Sequence, residues 1–419
     1  MPWLAANSAF SCVTGLASLR PVHAAFAWFH RNPKTLMDWQ ANLVAIPAPP
    51  FGEAARSAWL HARLTEAGLE RVHTDTIGNV FGFIPSKQIH PESTGPVVIL
   101  SAHLDTVFPA ETPLNPLVDG DRLEAPSACD NAAGVVGMLA LAHALVQANI
   151  ELPAPIILLG NVGEEGEGDL RGIRHLYDQN PLAGRIAAHI VLDGAGADSA
   201  VTQALGSRRY RVTVTGPGGH SFTDAGTPNP ITALASALSI LAQTPLPEEP
   251  RTTFNIGTIH GGTSVNSIPE SAKASIDFRS TSPNQLLLLE VALHRAVEDA
   301  VDSANRNIKT PAIRARGKLS FSITKIGDRP AAHLPSDAPL LEALRAVDRH
   351  LGLHTDLRLG STDANIPLAL GVQSLSMGAG GLGGGAHTLA EWYSAQEREV
   401  GLRRVLLLTL AMTHWAAEQ

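Results

Sequence analysis

Five short segments of the 419-residue chain hold the residue types that bind a divalent cation or move a proton. His103 and Asp105 stand two apart in SAHLDTVFP, and Asp130 sits in LEAPSACDNAAG. Glu164 and Glu165 are adjacent in GEEGEGDLRG, Asp193 lies in VLDGAG, and His387 follows a glycine run in GAGGLGGGAHT. Each has an ordinary explanation when taken alone. An aspartate before a helix is most often an N-cap, neighbouring glutamates usually form a solvated face, and H-x-D is a weak pattern. The set means more. Burying several carboxylates together is costly for each uncompensated charge unless a cation neutralises them. Two histidines, two aspartates and a glutamate converging on one place suit a divalent metal, and zinc accepts such mixed nitrogen and oxygen ligands.

Convergence needs a fold that gathers these segments. Val97–Ala102, Pro155–Leu159 and Ala187–Leu192 are continuous apolar runs, as in strands covered on both faces, and each leads into one of the acidic segments. In open α/β sheets, ligands bind at the carboxyl ends of the strands. Period-2 alternation places His103 and Asp105 on one side. Helical patterns over Glu53–Glu70 (with Gly68 near its end), Asn131–Gln147 and Gly172–Gln179 alternate with the strands. The prediction is an α/β fold with a mixed, largely parallel sheet.

At about residue 207 the pattern changes. Arg208–Thr215, Thr252–Ile259, Ala272–Arg279 and Leu319–Ile326 alternate polar and apolar residues, with helical stretches over Ile231–Gln243 and Asn284–Ser303. This predicts an α+β sandwich, residues 207–328, inserted into a domain made of 1–206 and 329–419. Residues 1–25 read as an N-terminal extension. Their apolar run resembles an export signal, but it lacks a basic start and is broken by Asn7, Ser8 and Ser11. The expected location is the cytoplasm.

The glycine run offers a competing reading. Gly378, Gly380 and Gly383 match the dinucleotide fingerprint G-x-G-x-x-G and follow a predicted strand, Val372–Met377. The next helix is expected from the S-x-x-E pattern of Ser394 and Glu397, too late to meet a pyrophosphate, and no return strand is predicted after it. The loop is instead expected to be a flexible arm that delivers His387.

The formal charge of −8 argues against a nucleic-acid partner. No apolar run is long enough to span a bilayer. The two cysteines, Cys12 and Cys129, form neither a disulfide framework nor a zinc-type spacing.

The motifs above, with GPGGHS, VNSIPE and IDFRS, make the chain from about Phe51 onward resemble the M20 family of co-catalytic metallopeptidases and amidohydrolases. The resemblance implies two divalent ions, zinc foremost, with manganese or cobalt suited to the same donors. His103, Asp130 and Asp193 would hold one, and Asp130, Glu165 and His387 the other. Glu164 would be the general base, and Asp105 the carboxylate fixing the imidazole of His103. It also implies a cis peptide between Asp130 and Asn131. His220 would stabilise the oxyanion, often across a homodimer interface built by the inserted lid domain. Asn266, Arg279 and Thr362, with Ser361 and Asp363 beside it, would face the substrate. The plainer alternatives are a surface histidine at 220 and an Arg279 paired with Asp277. One departure stands out: Ala125–Cys129 replaces a segment usually rich in glycine, and Cys129 there would make the site sensitive to oxidation. The function implied is a hydrolase that cuts an amide bond of a small peptide as an amino- or carboxy-exopeptidase. An N-acyl-amino-acid deacylase is the alternative. A metal-free binding homologue is a third reading, opposed by the complete ligand set.

Overall fold

The apolar runs form the middle of one sheet. In the computed structural model, which describes residues 6–86 and 95–419, Val97–His103 and Ile156–Asn161 are buried at every residue. They pair in parallel, with His103 opposite Asn161. Ile186–Leu192 pairs in parallel with the other side of Val97–His103, and Gln373–Met377 with Ile186–Leu192. Both faces of these strands are covered, so every position can be apolar and no alternation is seen. Antiparallel partners extend the sheet: Val80–Ile84 lies beside Ile156–Asn161, with Glu70–Thr74 beyond it. On the other side Ser199–Ala204 joins Gln373–Met377 and pairs in parallel with Asp356–Gly360. The sheet is mixed and largely parallel at its centre, as expected.

Some boundaries differ from expectation. The helix expected to reach Glu70 spans Ala54–Glu66, because Gly68 at φ +83° turns the chain into the edge strand. That strand, ERVHT, is mostly exposed and has no apolar pattern, which is why the sequence did not announce it. The N-terminal stretch forms three helices, Ala6–Ala17, Arg20–Arg31 and Pro33–Val44. The second and third pack on Ala132–Gln147, and the first on Pro339–Leu351 and Arg398–Ala416, burying Val13 and Val22. Residues 1–5 of the expected extension lie outside the described residues. No helix among the described residues is long and apolar enough to cross a membrane.

The chain divides into two units, Met1–Ala204 with His333–Gln419, and Leu205–Ala332. The second is an antiparallel four-stranded sheet in the order Thr252–Gly261, Ser271–Ser280, Gly206–Thr215, Ser320–Arg329. Helices Pro230–Leu241 and Pro283–Arg306 supply the rest of its core, with Leu234, Leu238, Leu289 and Val297 packed against Val212, Val214, Ile276 and Phe278. Both helices begin where the sequence provides an N-cap followed by proline, Asn229-Pro230 and Ser282-Pro283.

Candidate metal centre

His103 is the last residue of its strand, and its ring is fixed by its neighbours. Nδ1 lies 3.1 Å from the backbone carbonyl of Asp105. A carbonyl can only accept, so Nδ1 carries the proton and Nε2 is left as the donor atom. Nε2 points at Asp130 Oδ1 (3.1 Å) and Asp193 Oδ1 (3.8 Å). The Asp105 carboxylate does something other than expected. Its Oδ1 is 3.7 Å from Nδ1, and it accepts instead from the backbone N–H groups of Glu164 (2.9 Å) and Glu165 (2.7 Å). Asp105 therefore anchors the turn that presents the two glutamates, and orients His103 through its carbonyl. The chain leaves the strand at His103, so period-2 alternation no longer governs where Asp105 points.

Asp130 is released from capping by its neighbour. The fully buried Asn131 caps Ala132–Gln147, accepting from Gly134 N at 3.1 Å and from Gly194 N at 3.0 Å, and it donates to the Leu192 carbonyl at 2.9 Å. This single amide ties the segment bearing Asp130 to the one bearing Asp193. The Asp130–Asn131 peptide is cis. His387 reaches the site from a hairpin, Leu382–Gly384 paired with Trp392–Ser394. It holds φ +66°, and its Nε2 lies 3.0 Å from Asp130 Oδ2 and 3.1 Å from Glu165 Oε1.

Two triads thus share Asp130: His103, Asp130 and Asp193, and Asp130, Glu165 and His387, each with its donor atoms within 4.8 Å of one another. A third grouping sets Glu164 beside His103 and Glu165 within the same limit. Donors around one tetrahedral ion at about 2.0–2.2 Å lie roughly 3.3–3.6 Å apart, so separations near 3–4 Å fit the chemistry of a divalent cation.

Electrostatics agree. Burial disfavours the imidazolium of His103, but its contacts with Asp130 and Asp193 outweigh that and lift its pKa well above the ordinary value. Burial would raise Asp130, yet His103 and His387 hold its carboxyl below the usual range. The bond to Asp130, opposed by partial burial and helped by Glu165, lifts His387 to about 9. Burial, with the like charges of Asp130 and Asp105, pushes Glu165 up. Protons on the two imidazoles supply positive charge that the acids demand, the charge a metal ion carries. Asp130 Oδ1 is buried and faces the Nε2 of His103 at 3.1 Å, with no backbone N–H donating to it.

The other sequence-derived residues fall in several places. Asp363 is fully buried in the first unit and accepts from Asn161 Nδ2 at 2.7 Å; burial raises its carboxyl to about 7. Thr362 is buried beside it, its hydroxyl oxygen accepting from Ala364 N at 3.2 Å. In the second unit, Gly219–His220 pairs with Ser267–Ile268, which brings His220 and Asn266 onto one short ribbon. Phe222 N and Thr223 N each donate to His220 Nδ1 at 3.2 Å, so the ring proton sits on Nε2 as an available donor. Arg279 pairs with Asp277 at 2.7 Å, the plainer of its two readings, which occupies one edge of the guanidinium. The oxidation expected at Cys129 finds no support in its setting. Burial pushes that thiol up to about 12 and keeps it protonated.

The family model described as Peptidase family M20/M25/M40 matches residues 99–411. A probable carboxypeptidase of Neosartorya fischeri is 28% identical over 304 residues, an alignment covering 66% of this chain and 68% of that protein. A tripeptidase from Staphylococcus aureus superposes with a TM-score of 0.68 at 21% identity, covering 93% of this chain and 99% of that one. A dinuclear metal-binding peptidase from Bacillus subtilis superposes with a TM-score of 0.63 at 16% identity, covering 92% of this chain and 99% of that one.

Proposed function

The chain belongs to peptidase family M20/M25/M40, and from that premise we propose that it is a di-metal hydrolase that cuts a terminal amide bond of a small peptide. The observation that supports this reading is the pair of ligand triads sharing Asp130. Two divalent ions there, zinc with manganese or cobalt as equivalents, would polarise the scissile carbonyl and lower the pKa of the attacking water.

The residues of the chain do the rest. Glu164 belongs to neither triad but lies against both His103 and Glu165. Its carboxylate takes the proton from the water as the new C–O bond forms, and returns it to the nitrogen as the C–N bond breaks. The products are a carboxylate and an amine. His220, with its proton on Nε2, supplies a donor to the oxyanion. Asn266, Arg279 and Thr362 are assigned to the substrate. The same proposal takes the second unit as the lid and homodimer interface, and the cytoplasm as the location, with no nucleic-acid or membrane partner.

Metal analysis of the purified chain, with a screen of di- and tripeptides bearing free or blocked termini beside N-acetyl amino acids, tests it. Fewer than one ion per chain, with no activity on metal addition, would sink the reading. Turnover on N-acetyl amino acids alone would move it to the deacylase. Glu164→Ala is expected to keep its metal and lose roughly 10²–10⁴ in turnover; wild-type turnover would remove Glu164 from its role.

A further inference from the structure

The segment in front of Asp130 is held by buried polar groups from three distant parts of the chain. Ser127 adopts φ +68°, the left-handed region that favours glycine. Glu391, fully buried, accepts from Ser127 N through Oε2 at 2.9 Å, and from both Cys129 N and Asp130 N through Oε1 at 2.7 Å. The Glu391 carbonyl also accepts from Ala125 N at 3.1 Å. Arg56, equally buried, donates to Ser127 Oγ at 3.3 Å, and Gln40 donates to the Ala128 carbonyl at 2.6 Å. Glu391 stands four residues after His387 in the sequence.

We propose that Glu391 is a positioning residue for the metal centre: its carboxylate holds Ser127 in the left-handed turn and so aims Asp130 at the place both triads share. The inference rests on the reading of Asp130 as a shared ligand. A carboxylate is the one side-chain end that offers acceptors on both edges. Three backbone N–H groups converge on it, one of them belonging to Asp130 itself. Because the same stretch of chain delivers His387, the clamp also couples two of the three segments that donate to the second triad. Where a glycine-rich segment would adopt the turn unaided, this chain has Ala125-Pro126-Ser127-Ala128-Cys129 and imposes the turn from outside.

Glu391→Gln tests this. A glutamine must turn an NH2 edge toward one of the donors. If Oε1 keeps Cys129 and Asp130, the bond to Ser127 is the one lost. The full chain, stripped of metal and titrated with cobalt(II), is expected to bind about 10-fold or more weakly in this variant and to show an altered visible spectrum. A core variant that lowers the melting temperature comparably, Leu344→Ala, is expected to change neither. Adding Ser127→Gly to Glu391→Gln is expected to recover most of the affinity, because glycine adopts the turn without the clamp. If Glu391→Gln does not fold, Glu391→Asp, which keeps the charge but withdraws it by one methylene, takes its place in every comparison. Wild-type cobalt affinity and spectrum in the Glu391 variant would overturn the proposal, as would a loss that Ser127→Gly leaves untouched or that Leu344→Ala reproduces. A wild-type chain that takes up no cobalt would sink the reading of Asp130 and leave the role of Glu391 without its premise.

Discussion

Replacing Asn131 by alanine should damage both the fold and the metal centre, in amounts that follow from three hydrogen bonds. The truncation strands Gly134 N–H, Gly194 N–H and the Leu192 carbonyl, which the amide satisfies at 3.1, 3.0 and 2.9 Å. Losing the helix cap costs about 1 kcal/mol. Each of the other two groups, left without a partner in the interior, costs about 1–3 kcal/mol. The sum is roughly 3–5 kcal/mol once water entering the small void is allowed for, against a typical stability of about 5–15 kcal/mol. Urea unfolding of the metal-free protein, followed by far-UV circular dichroism, reads this as a lower midpoint with an unchanged slope. Metal titration reads the second effect. The amide joins the segments that bear Asp130 and Asp193, so its removal should weaken metal binding as well. A loss under about 1 kcal/mol would refute the accounting. A destabilised variant that binds metal as the wild type does would show that Asn131 serves the helix alone.

Loading the metal-free protein at pH 7.5 should release about two protons per chain, because both His103 and His387 are held protonated above their ordinary range. Calorimetry in two buffers of different ionisation enthalpy measures this, and no net release would contradict the assigned charge states. Asp363, raised to about 7 by burial, keeps its proton in the native state between about pH 4 and pH 7, where an unfolded aspartate has lost it. Its contribution therefore falls as pH rises through that window and levels off above it. Asp363→Asn should flatten the stability profile of the metal-free protein there, and an unchanged slope would count against the burial argument. His220→Ala should lower kcat by about 10²–10³ while metal content stays the same; a loss of metal would make His220 a ligand instead.

How far the sequence revealed the molecule depends on the range of the interactions involved. Val97–His103, Ile156–Asn161 and Ile186–Leu192 were legible because a strand buried on both faces writes a continuous apolar run, and each run ends in the residues that converge. Glu70–Thr74 was not, since an exposed edge strand writes no such pattern. Ser394 was expected to open a helix, but it pairs with Arg122 in a small sheet, and the helix starts at Arg398 after Glu397 turns at φ +61°. The glycine run was expected to be a flexible arm and is instead tightly packed. A Cβ on Gly383 would lie 2.5 Å from Cys129 Sγ, and Gly380, at φ +86°, approaches the Arg398 carbonyl so closely that a Cβ would lie 2.6 Å from it. Glu391, Asn131 and Arg56 were missed as supports of the site. Their partners are mostly backbone groups, up to 264 residues away, and a side chain reaching a distant backbone leaves no periodicity behind.

The acids of this centre can be sorted by what neutralises them, and the sorting separates scaffold from ligand. Asp105 is answered by two backbone N–H groups and Glu391 by three, so both are fully engaged by the fold. Such anions need no cation in contact, and Arg56, buried between their fields and shifted down only to about 10 by its burial, keeps a positive charge near both. Asp130, Asp193 and Glu165 are different. Their carboxylates face one another across two imidazoles, within 4.8 Å in each triad, and no backbone N–H donates to Asp130 Oδ1. A fold does not hold acids in that arrangement for its own stability, because removing the positive charge leaves mutual repulsion in a partly desolvated space. By residue type alone all five acids belong to one class. Only the direction of their hydrogen bonds divides them, and the three that the backbone leaves unanswered are the ones the proposed reading gives to the metal.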